Sequence, residues 1–282
     1  MLREIKAGKI TAAVARLLKE AAFELPGDVL KALRSAQKSE PSPLGRETLE
    51  RLIENAAIAR QEKLPLCQDC GMVTVFLEIG QDVHITGGDL AEAVQAGVRK
   101  AYDEEFLRKS VVRQPFSARV NTGDNTPAVI HTELVPGDRL RITVMPKGGG
   151  SKNMTRLFML TPAEGRKGII ESVVRAVDEA GSNPCPPVIV GVGIGGSAEK
   201  ALLMSKMALL RPIGQPSPDP EDAALEKELL EKVNALGIGP EGFGGRTTAL
   251  AVHVETFPTH LASLPLAVSL LCHAARHKET VI

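Results

Sequence analysis

The sequence has 282 residues, of which 43% are apolar and 24% are charged, as is ordinary for a globular protein. Lysine plus arginine and aspartate plus glutamate each number 34, so the formal net charge is zero and there is no basic surplus to indicate a nucleic-acid or membrane partner. No apolar run approaches the roughly 18 residues that cross a bilayer, and the charged N-terminus lacks the apolar core of a signal peptide. We therefore expect a cytoplasmic protein.

The first 62 residues are predicted to be helical. Apolar residues recur at helical spacing in the first helix: Ile10, Val14, Leu17, Leu18 and Ala21. Pro26 and Gly27 interrupt the chain, and Asp28 is predicted to cap the second helix. A third apolar pattern, over 48–63, predicts another helix.

From residue 72 onward, strands and helices are mixed. Strands are predicted at 72–80, 128–135, 139–146, 186–194 and 247–255, and helices at 88–105, 161–181, 197–210 and 221–236. Asp89 is predicted to cap the helix over 88–105, and a turn at 136–138 is predicted to join two of the strands. The segment 264–276 fits either a strand or a buried helix.

This order of elements predicts an α+β (mixed α/β) fold, with a helical N-terminal segment followed by a sheet-and-helix domain. The predicted division is 1–62 and 63–282, or alternatively one continuous domain over 1–282.

The cysteines are the first candidates for chemistry. Cys67, Cys70, Cys185 and Cys272 are too few for a disulfide scaffold. Cys67 and Cys70 form a C-x-x-C pair, but no second pair lies near it, as a zinc ribbon would need, and it precedes a strand, unlike a thioredoxin pair. Burial as small apolar side chains is the plain alternative.

Three of these cysteines fall where elements begin or end. Cys67 precedes the polar pair Gln68 and Asp69, Cys185 lies among prolines before a strand, and Cys272 follows an apolar run. Dispersed thiolates of this kind suit zinc or an iron–sulfur cluster if they converge in space. Three ligands on a four-iron cluster would leave one iron open.

Two glycine-rich segments are further candidates. Residues 147–150 (KGGG) are predicted either to form a nest of N–H groups for a small carboxylate or phosphate, or to be a flexible turn. Gly191, Gly193 and Gly196 match the dinucleotide pattern, but the proline-rich stretch 211–222 stands where that site needs an acidic residue after a second strand. Dinucleotide binding is therefore a weak alternative.

Six motifs carry a resemblance to a known family. They are, in order, PLCQDCG, VNTGDNTPA, KGGGSKN, NPCPPVIVGVGIGG, GPEGFGGRTTALAV and SLPLAVSLLCHAAR. From about residue 40 to the C-terminus the sequence resembles the class I, iron–sulfur-dependent fumarate hydratases. It resembles most the separate α subunit of the two-subunit form, which is shared with L(+)-tartrate dehydratase.

The resemblance implies a [4Fe–4S] cluster held by Cys67, Cys185 and Cys272. Cys70 stands where the family usually has threonine, so it is not expected to be a ligand. The resemblance also implies substrate contacts from four residues: Gln68, Asp69, Arg108 and Gly150. Arg113 is the alternative to Arg108 as the substrate-binding arginine, because the spacing from Arg108 to the VNTG motif is one residue shorter than expected.

The implied activity is reversible hydration of fumarate to (S)-malate, with tartrate or methyl-substituted substrates as alternatives. The implied partner is a β subunit of the same enzyme, which would supply the remaining catalytic groups, and a homodimer is possible for the isolated chain. A non-catalytic iron–sulfur protein is the rival interpretation.

Overall fold

The computed structural model describes residues 2–282, in which helices and strands form an α+β fold, as the sequence predicted. The helices are α1 (Ala7–Phe23), α2 (Gly27–Ser39), α3 (Pro43–Glu62), α4 (Leu90–Glu104), α5 (Gly149–Lys152), α6 (Gly165–Ala180), α7 (Ala198–Ala208) and α8 (Pro220–Asn234). The strands are β1 (Arg3–Lys6), β2 (Met72–Gly80), β3 (Val83–Thr86), β4 (Val129–Val135), β5 (Leu140–Lys147), β6 (Arg156–Leu160), β7 (Val188–Gly195), β8 (Ala249–Phe257), β9 (Leu264–Leu271) and β10 (Lys278–Val281).

The chain divides into two compact units that are interleaved in sequence. Unit 1 comprises residues 1–25, 56–149 and 276–282, and unit 2 comprises 26–55 and 150–275. The predicted division after residue 62, with one continuous domain over 1–282 as its alternative, stays a prediction about domains. Interleaving arises because α1 packs on α4 and β10 pairs with β5, so both ends of the chain belong to unit 1.

Unit 1 is built on a four-stranded sheet in the order β10-β5-β2-β4, with β1 and β3 as a separate parallel pair. Its core includes all five apolar residues predicted for the first helix, each of which is at most 1% exposed. The predicted strands β4 and β5 are present, but β2 lies between them, parallel to β4 and antiparallel to β5.

Unit 2 contains the second four-stranded sheet, in the order β6-β9-β7-β8. The ambiguous segment at 264–276 contributes the strand β9, which pairs antiparallel with β7. β7 and β8 are parallel, and every residue of β7 is buried. The core is formed by apolar residues of this sheet together with those of α6 and α8.

Two kinds of local prediction were wrong or incomplete. Asp28 does not cap α2, since that helix begins at Gly27 after Pro26, and the Asp28 carboxylate accepts a hydrogen bond from the N–H of Ile213 at 2.8 Å. Asp89 does cap α4, accepting from the N–H of Glu92 at 2.8 Å. The strands that were not predicted are all short: β1, β3, β6 and β10.

The glycine pattern at 191–196 has a packing explanation. Gly191 and Gly193 lie inside β7, and a Cβ on them would stand 2.1 Å from the carbonyl oxygen of Ser205 and 2.2 Å from that of Ala201. Both oxygens belong to α7, so the glycines allow this helix to pack directly on the strand. They are part of a strand and not of a phosphate-binding loop, which removes the main support for a dinucleotide site.

The histidine of β8 makes the stability of unit 2 sensitive to acid. His253 is 3% exposed, and its Nδ1 lies 3.0 Å from the carbonyl oxygen of Ala208. Burial, followed by the charge of Arg211, lowers the pKa of His253 below its ordinary value of 6.5. The unfolded chain therefore binds this proton before the folded chain does, so stability is present above pH 6.5 and is lost as the pH falls through the folded pKa.

We expect a His253→Gln variant to lose less free energy of unfolding than the wild type between pH 7.5 and 5.5. Over this range the difference should reach at most about 1.4 kcal/mol, because the ordinary pKa of 6.5 lies one pH unit above the lower limit of 5.5; it is measured by urea unfolding at several pH values. His84→Gln, on the exposed side of β3, is the matched control and should follow the wild type. Parallel curves for the His253 variant and the wild type would contradict the expectation.

No helix within residues 2–282 is long and apolar enough to span a membrane.

Candidate functional site

The segment from Cys67 to Cys70 forms a tight turn that leads into β2 of unit 1. Its end is held by Tyr102 of α4, whose hydroxyl donates a hydrogen bond to the carbonyl oxygen of Cys70 at 2.7 Å. Tyr102 is 1% exposed, and burial raises the pKa of its phenol, so it stays a neutral donor. The turn is therefore a fixed structure, and its polar side chains have defined positions.

The Asp69 carboxylate is held by backbone N–H groups. Its Oδ1 accepts from Gly71 at 3.0 Å and its Oδ2 accepts from Gly149 at 2.6 Å. The glycine-rich segment thus begins a single turn of helix, α5, and at least one of its N–H groups binds a carboxylate of the protein itself. This contact and the helical turn replace the alternative of a flexible turn, and a nest for an external anion stays a prediction.

Arg276 lies behind the same turn in unit 1. It is 2% exposed, and its Nη1 donates to the carbonyl oxygen of Asp69 at 2.7 Å. Its buried Nε has no hydrogen-bond partner among residues 2–282. A buried guanidinium next to Asp69 places a fixed positive charge beside the turn, and that charge attracts anionic groups.

Arg108 is the arginine that contacts the turn. Its Nη1 donates to Oε1 of Gln68 at 2.9 Å, and both side chains are exposed. Arg113 lies in an exposed segment, and its backbone N–H pairs with the carbonyl oxygen of Val120. Of the two arginines considered from the sequence, Arg108 is the one that the structure brings to Gln68.

The two thiols of the C-x-x-C pair have different surroundings. Cys70 is 4% exposed, and its Sγ accepts from the N–H of Arg108 at 3.3 Å. Burial raises the pKa of the Cys70 thiol, which favours the protonated form that metals bind poorly. Cys67 is partly exposed at the start of the turn. The choice of Cys67 over Cys70 as a ligand stays a prediction.

The segment 120–127 supports the turn through a buried amide. Asn125 is completely buried, accepts from the N–H of Ser110 at 2.7 Å, and donates through Nδ2 to the carbonyl oxygen of Gly71 at 3.1 Å. The VNTGDNTP motif therefore acts here as a scaffold that joins the Arg108 segment to the Cys67 turn.

In unit 2, strand pairing brings the other two cysteines to one end of the sheet. β7 and β9 are antiparallel, with Ile189 opposite Leu271. Cys185 precedes β7 and Cys272 directly follows β9. Because the two strands are antiparallel, both cysteines lie at the same end of the sheet. Cys185 is exposed and adopts a positive φ of 54°, an uncommon conformation that places it in a sharp turn.

His273 and Glu241 fix the Cys185 turn. The Nδ1 of His273 lies 3.1 Å from the carbonyl oxygen of Cys185 and 3.0 Å from Oε1 of Glu241. The N–H of Glu241 in turn donates to the carbonyl oxygen of Pro186 at 2.7 Å.

Gly150 lies against the same turn. A Cβ at this position would stand 2.5 Å from the carbonyl oxygen of Asn183, so only glycine allows this approach. Unit 2 thus gathers Gly150 and two of the three predicted cysteine ligands.

The thiols fit the donor chemistry of an iron–sulfur cluster. Cys67 is partly exposed, Cys185 and Cys272 lie at the same end of the sheet in unit 2, and none of the three is in a disulfide. No group of three or more His, Cys, Asp or Glu side chains within residues 2–282 is arranged to hold a metal ion. The shared cluster stays a prediction.

Sequence reasoning missed four residues that shape the site: Tyr102, Ser110, Asn125 and Arg276. Asn125 and Arg276 lie inside the recognised motifs, so a search for buried polar residues there could have found them. Tyr102 is the single tyrosine of the chain, but nothing in the sequence connects it to Cys70.

Comparison with known proteins gives a consistent match. Residues 11–281 match the family model described as Fumarate hydratase (Fumerase). The chain is 44% identical over 274 residues to the Methanocaldococcus jannaschii protein named "Putative L(+)-tartrate dehydratase subunit alpha", with 95% of each chain covered. It is 35% identical over 278 residues to "L(+)-tartrate dehydratase subunit alpha" of Escherichia coli O157:H7, covering 97% of this chain and 91% of the relative.

The match covers nearly the whole chain and includes the Cys67 turn and all four cysteines. A match of this extent shows that the chain is a member of an enzyme family. The chain belongs to the fumarate hydratase (Fumerase) family, which is named for a hydro-lyase.

Proposed function

We propose that this chain is the α subunit of a hydro-lyase that reversibly adds water to a four-carbon unsaturated dicarboxylate. The proposed reaction is hydration of fumarate to (S)-malate. The names of the similar proteins favour a second candidate, dehydration of L(+)-tartrate. The observation that carries the proposal is the assembly in which Arg108 binds Gln68 next to the Asp69 carboxylate.

Each residue of this assembly has a role that its geometry supports. Arg108 is exposed and can form a forked pair with one substrate carboxylate, while Gln68 orients it. Asp69 is proposed as the acid–base group, because backbone donors fix its carboxylate at the turn. Gly150 belongs to unit 2 and not to this assembly, and it is proposed separately, from the family resemblance, to offer its backbone to substrate.

We propose that Cys67, Cys185 and Cys272 hold a [4Fe–4S] cluster. When bound, such a cluster with three protein ligands supplies a Lewis acid for the hydroxyl group that is added or removed. The protein residues orient the two carboxylates and move the proton.

A β subunit is the proposed partner. The similar proteins are named as α subunits, and this chain offers Arg108 as one exposed clamp for a dicarboxylate that needs two. We propose that the β subunit supplies the second clamp and the group that removes the carbon-bound proton.

The test is anaerobic reconstitution of the purified chain with iron and sulfide, with and without the β subunit. We expect hydration of fumarate, or dehydration of L(+)-tartrate, only when both subunits are present. The ratio of kcat/KM for the two substrates decides between them. A cluster without turnover of either substrate would favour the non-catalytic alternative and overturn the proposal, as would full activity from the α chain alone.

A matched pair of variants tests the ligand assignment in the same experiment. Cys67→Ser should abolish the visible absorbance of the reconstituted cluster, whereas Cys70→Ser should retain it. Equal loss in both variants would contradict the assignment.

A further inference from the structure

Residues 111–122 of unit 1 form a small protruding hairpin. Val112 and Asn121 form an antiparallel bridge, and the N–H of Arg113 donates to the carbonyl oxygen of Val120 at 2.7 Å. All residues from 113 to 121 are exposed. Phe116, in the loop between the two arms, is 94% exposed.

Exposure of the Phe116 side chain does not stabilise the fold of this chain. A phenylalanine can remove 150 Å² or more from water when it is buried, so a fully exposed one at a loop tip forgoes a large stabilisation. Phe106, just before the hairpin, is also 90% exposed and adopts a positive φ of 52°. Two exposed aromatic rings in one segment indicate a surface that is covered in the assembled protein.

The segment is also strongly cationic. Between Phe106 and Gly123 there are four basic residues, Arg108, Lys109, Arg113 and Arg119, and no acidic residue. Lys109 pairs with Asp103 at 3.6 Å, and Arg119 bonds the carbonyl oxygen of Pro115. Arg113 has no ion-pair partner among residues 2–282 and extends from the hairpin stem. In a chain whose net charge is zero, this local surplus selects an acidic counterpart.

The base of the hairpin is tied to the candidate site. Val111 is 8% exposed and its carbonyl oxygen accepts from the N–H of Thr122 at 3.0 Å, while the N–H of neighbouring Ser110 bonds the buried Asn125. Asn121 donates to the carbonyl oxygen of Lys109 at 3.0 Å. A contact made at the tip is therefore connected by fixed hydrogen bonds to the segment that carries Arg108.

We propose that the hairpin 111–122 is the docking element for the β subunit, with Phe116 inserted into an apolar pocket whose rim carries carboxylates. This inference rests on the proposed function, since it requires a β subunit. Because the hairpin adjoins Arg108, a subunit seated on it also comes to the site whose second clamp it is proposed to supply. The arrangement of a buried aromatic anchor within a charged rim is typical of the energetically dominant part of an interface.

The experiment measures the Kd between the α chain and the purified β subunit by calorimetry at two salt concentrations. Phe116→Ser should weaken binding by at least about thirtyfold, as for an interface hot spot. Arg113→Glu should weaken binding about tenfold and reduce its salt dependence. The matched control is Leu134→Ser, at an apolar residue that is 65% exposed. Leu134 lies near the end of β4, where Val135 pairs with Gly80 at the end of β2, and the Cys67 turn precedes the other end of β2.

The outcomes separate this inference from the proposed function. If the Phe116 variant binds β with the wild-type affinity, the docking assignment alone is overturned. The same holds if the variant changes self-association of the α chain but leaves its affinity for β unchanged. Failure of the wild-type α chain to bind β overturns both. Because Phe116 and Arg113 point to solvent, circular dichroism and thermal unfolding of the variants should match those of the wild type.

Discussion

We expect Asp69→Asn to reduce turnover by the assembled enzyme at least about a hundredfold, the low end for loss of a positioned acid–base group. Asparagine has nearly the same shape but does not titrate. It also offers a single acceptor oxygen, whereas both carboxylate oxygens of Asp69 accept from backbone N–H groups. One N–H group, of Gly71 or Gly149, would face the amide nitrogen, so the turn would be less well held as well.

The measurement is kcat and KM of the reconstituted enzyme with its preferred substrate. Asp138→Asn, at an exposed turn of the same unit, is the control and should keep normal turnover. The cluster absorbance of the Asp69 variant should equal that of the wild type, because Asp69 is not a proposed ligand. Normal turnover in the variant would leave Asp69 with a purely structural role.

We expect Glu40→Ala to lower the free energy of unfolding by at least about 2 kcal/mol, since a buried donor left without its acceptor costs about 1 to 3 kcal/mol. Glu40 follows α2 in unit 2 and is 1% exposed. Its carboxylate accepts from the backbone N–H groups of Arg246 and Thr247 and from the hydroxyl of Thr247, at distances of 2.6–3.1 Å. Removing it would leave these buried donors without a partner.

Glu40 holds the glycine-rich loop before β8 in place. That loop includes Glu241, which contacts His273 and Pro186 beside Cys185. Faster amide hydrogen exchange over 239–248 in the Glu40 variant would show that the loop has loosened. Glu50→Ala, on the exposed face of α3, is the matched control and should change stability by no more than about 0.5 kcal/mol. A Glu40 variant as stable as this control would contradict the expectation.

The pH dependence gives a second check on Glu40. Burial raises the pKa of its carboxyl, but the hydrogen bonds from Thr247, Arg246 and Ser42 together lower it below the ordinary 4.5. The stabilisation is therefore present above pH 4.5 and is lost as the pH falls through the lower folded pKa. The difference in stability between wild type and a Glu40→Gln variant should shrink in that acidic range.

Local sequence patterns predicted the long elements well. The apolar spacing of α1 and the capping by Asp89 depend on neighbours within a turn or two of helix, so they can be read from the sequence. The short strands β1, β3, β6 and β10 were missed, because four or five residues carry little periodic signal and each strand exists through a partner distant in the chain. The glycines of β7 were matched to a nucleotide motif because sequence does not show that α7 packs on them.

The sequence by itself determined the α+β class, the family, and which residue types are available for chemistry at Cys67, Asp69 and Arg108. Only the tertiary structure decided what these residues contact. Gly149 and Arg276, which bind Asp69, are 80 and 207 residues away from it in the chain. Strand register and helix packing decide which residues at such separations meet. No local sequence pattern identifies the atom to which a given carboxylate or guanidinium will bind.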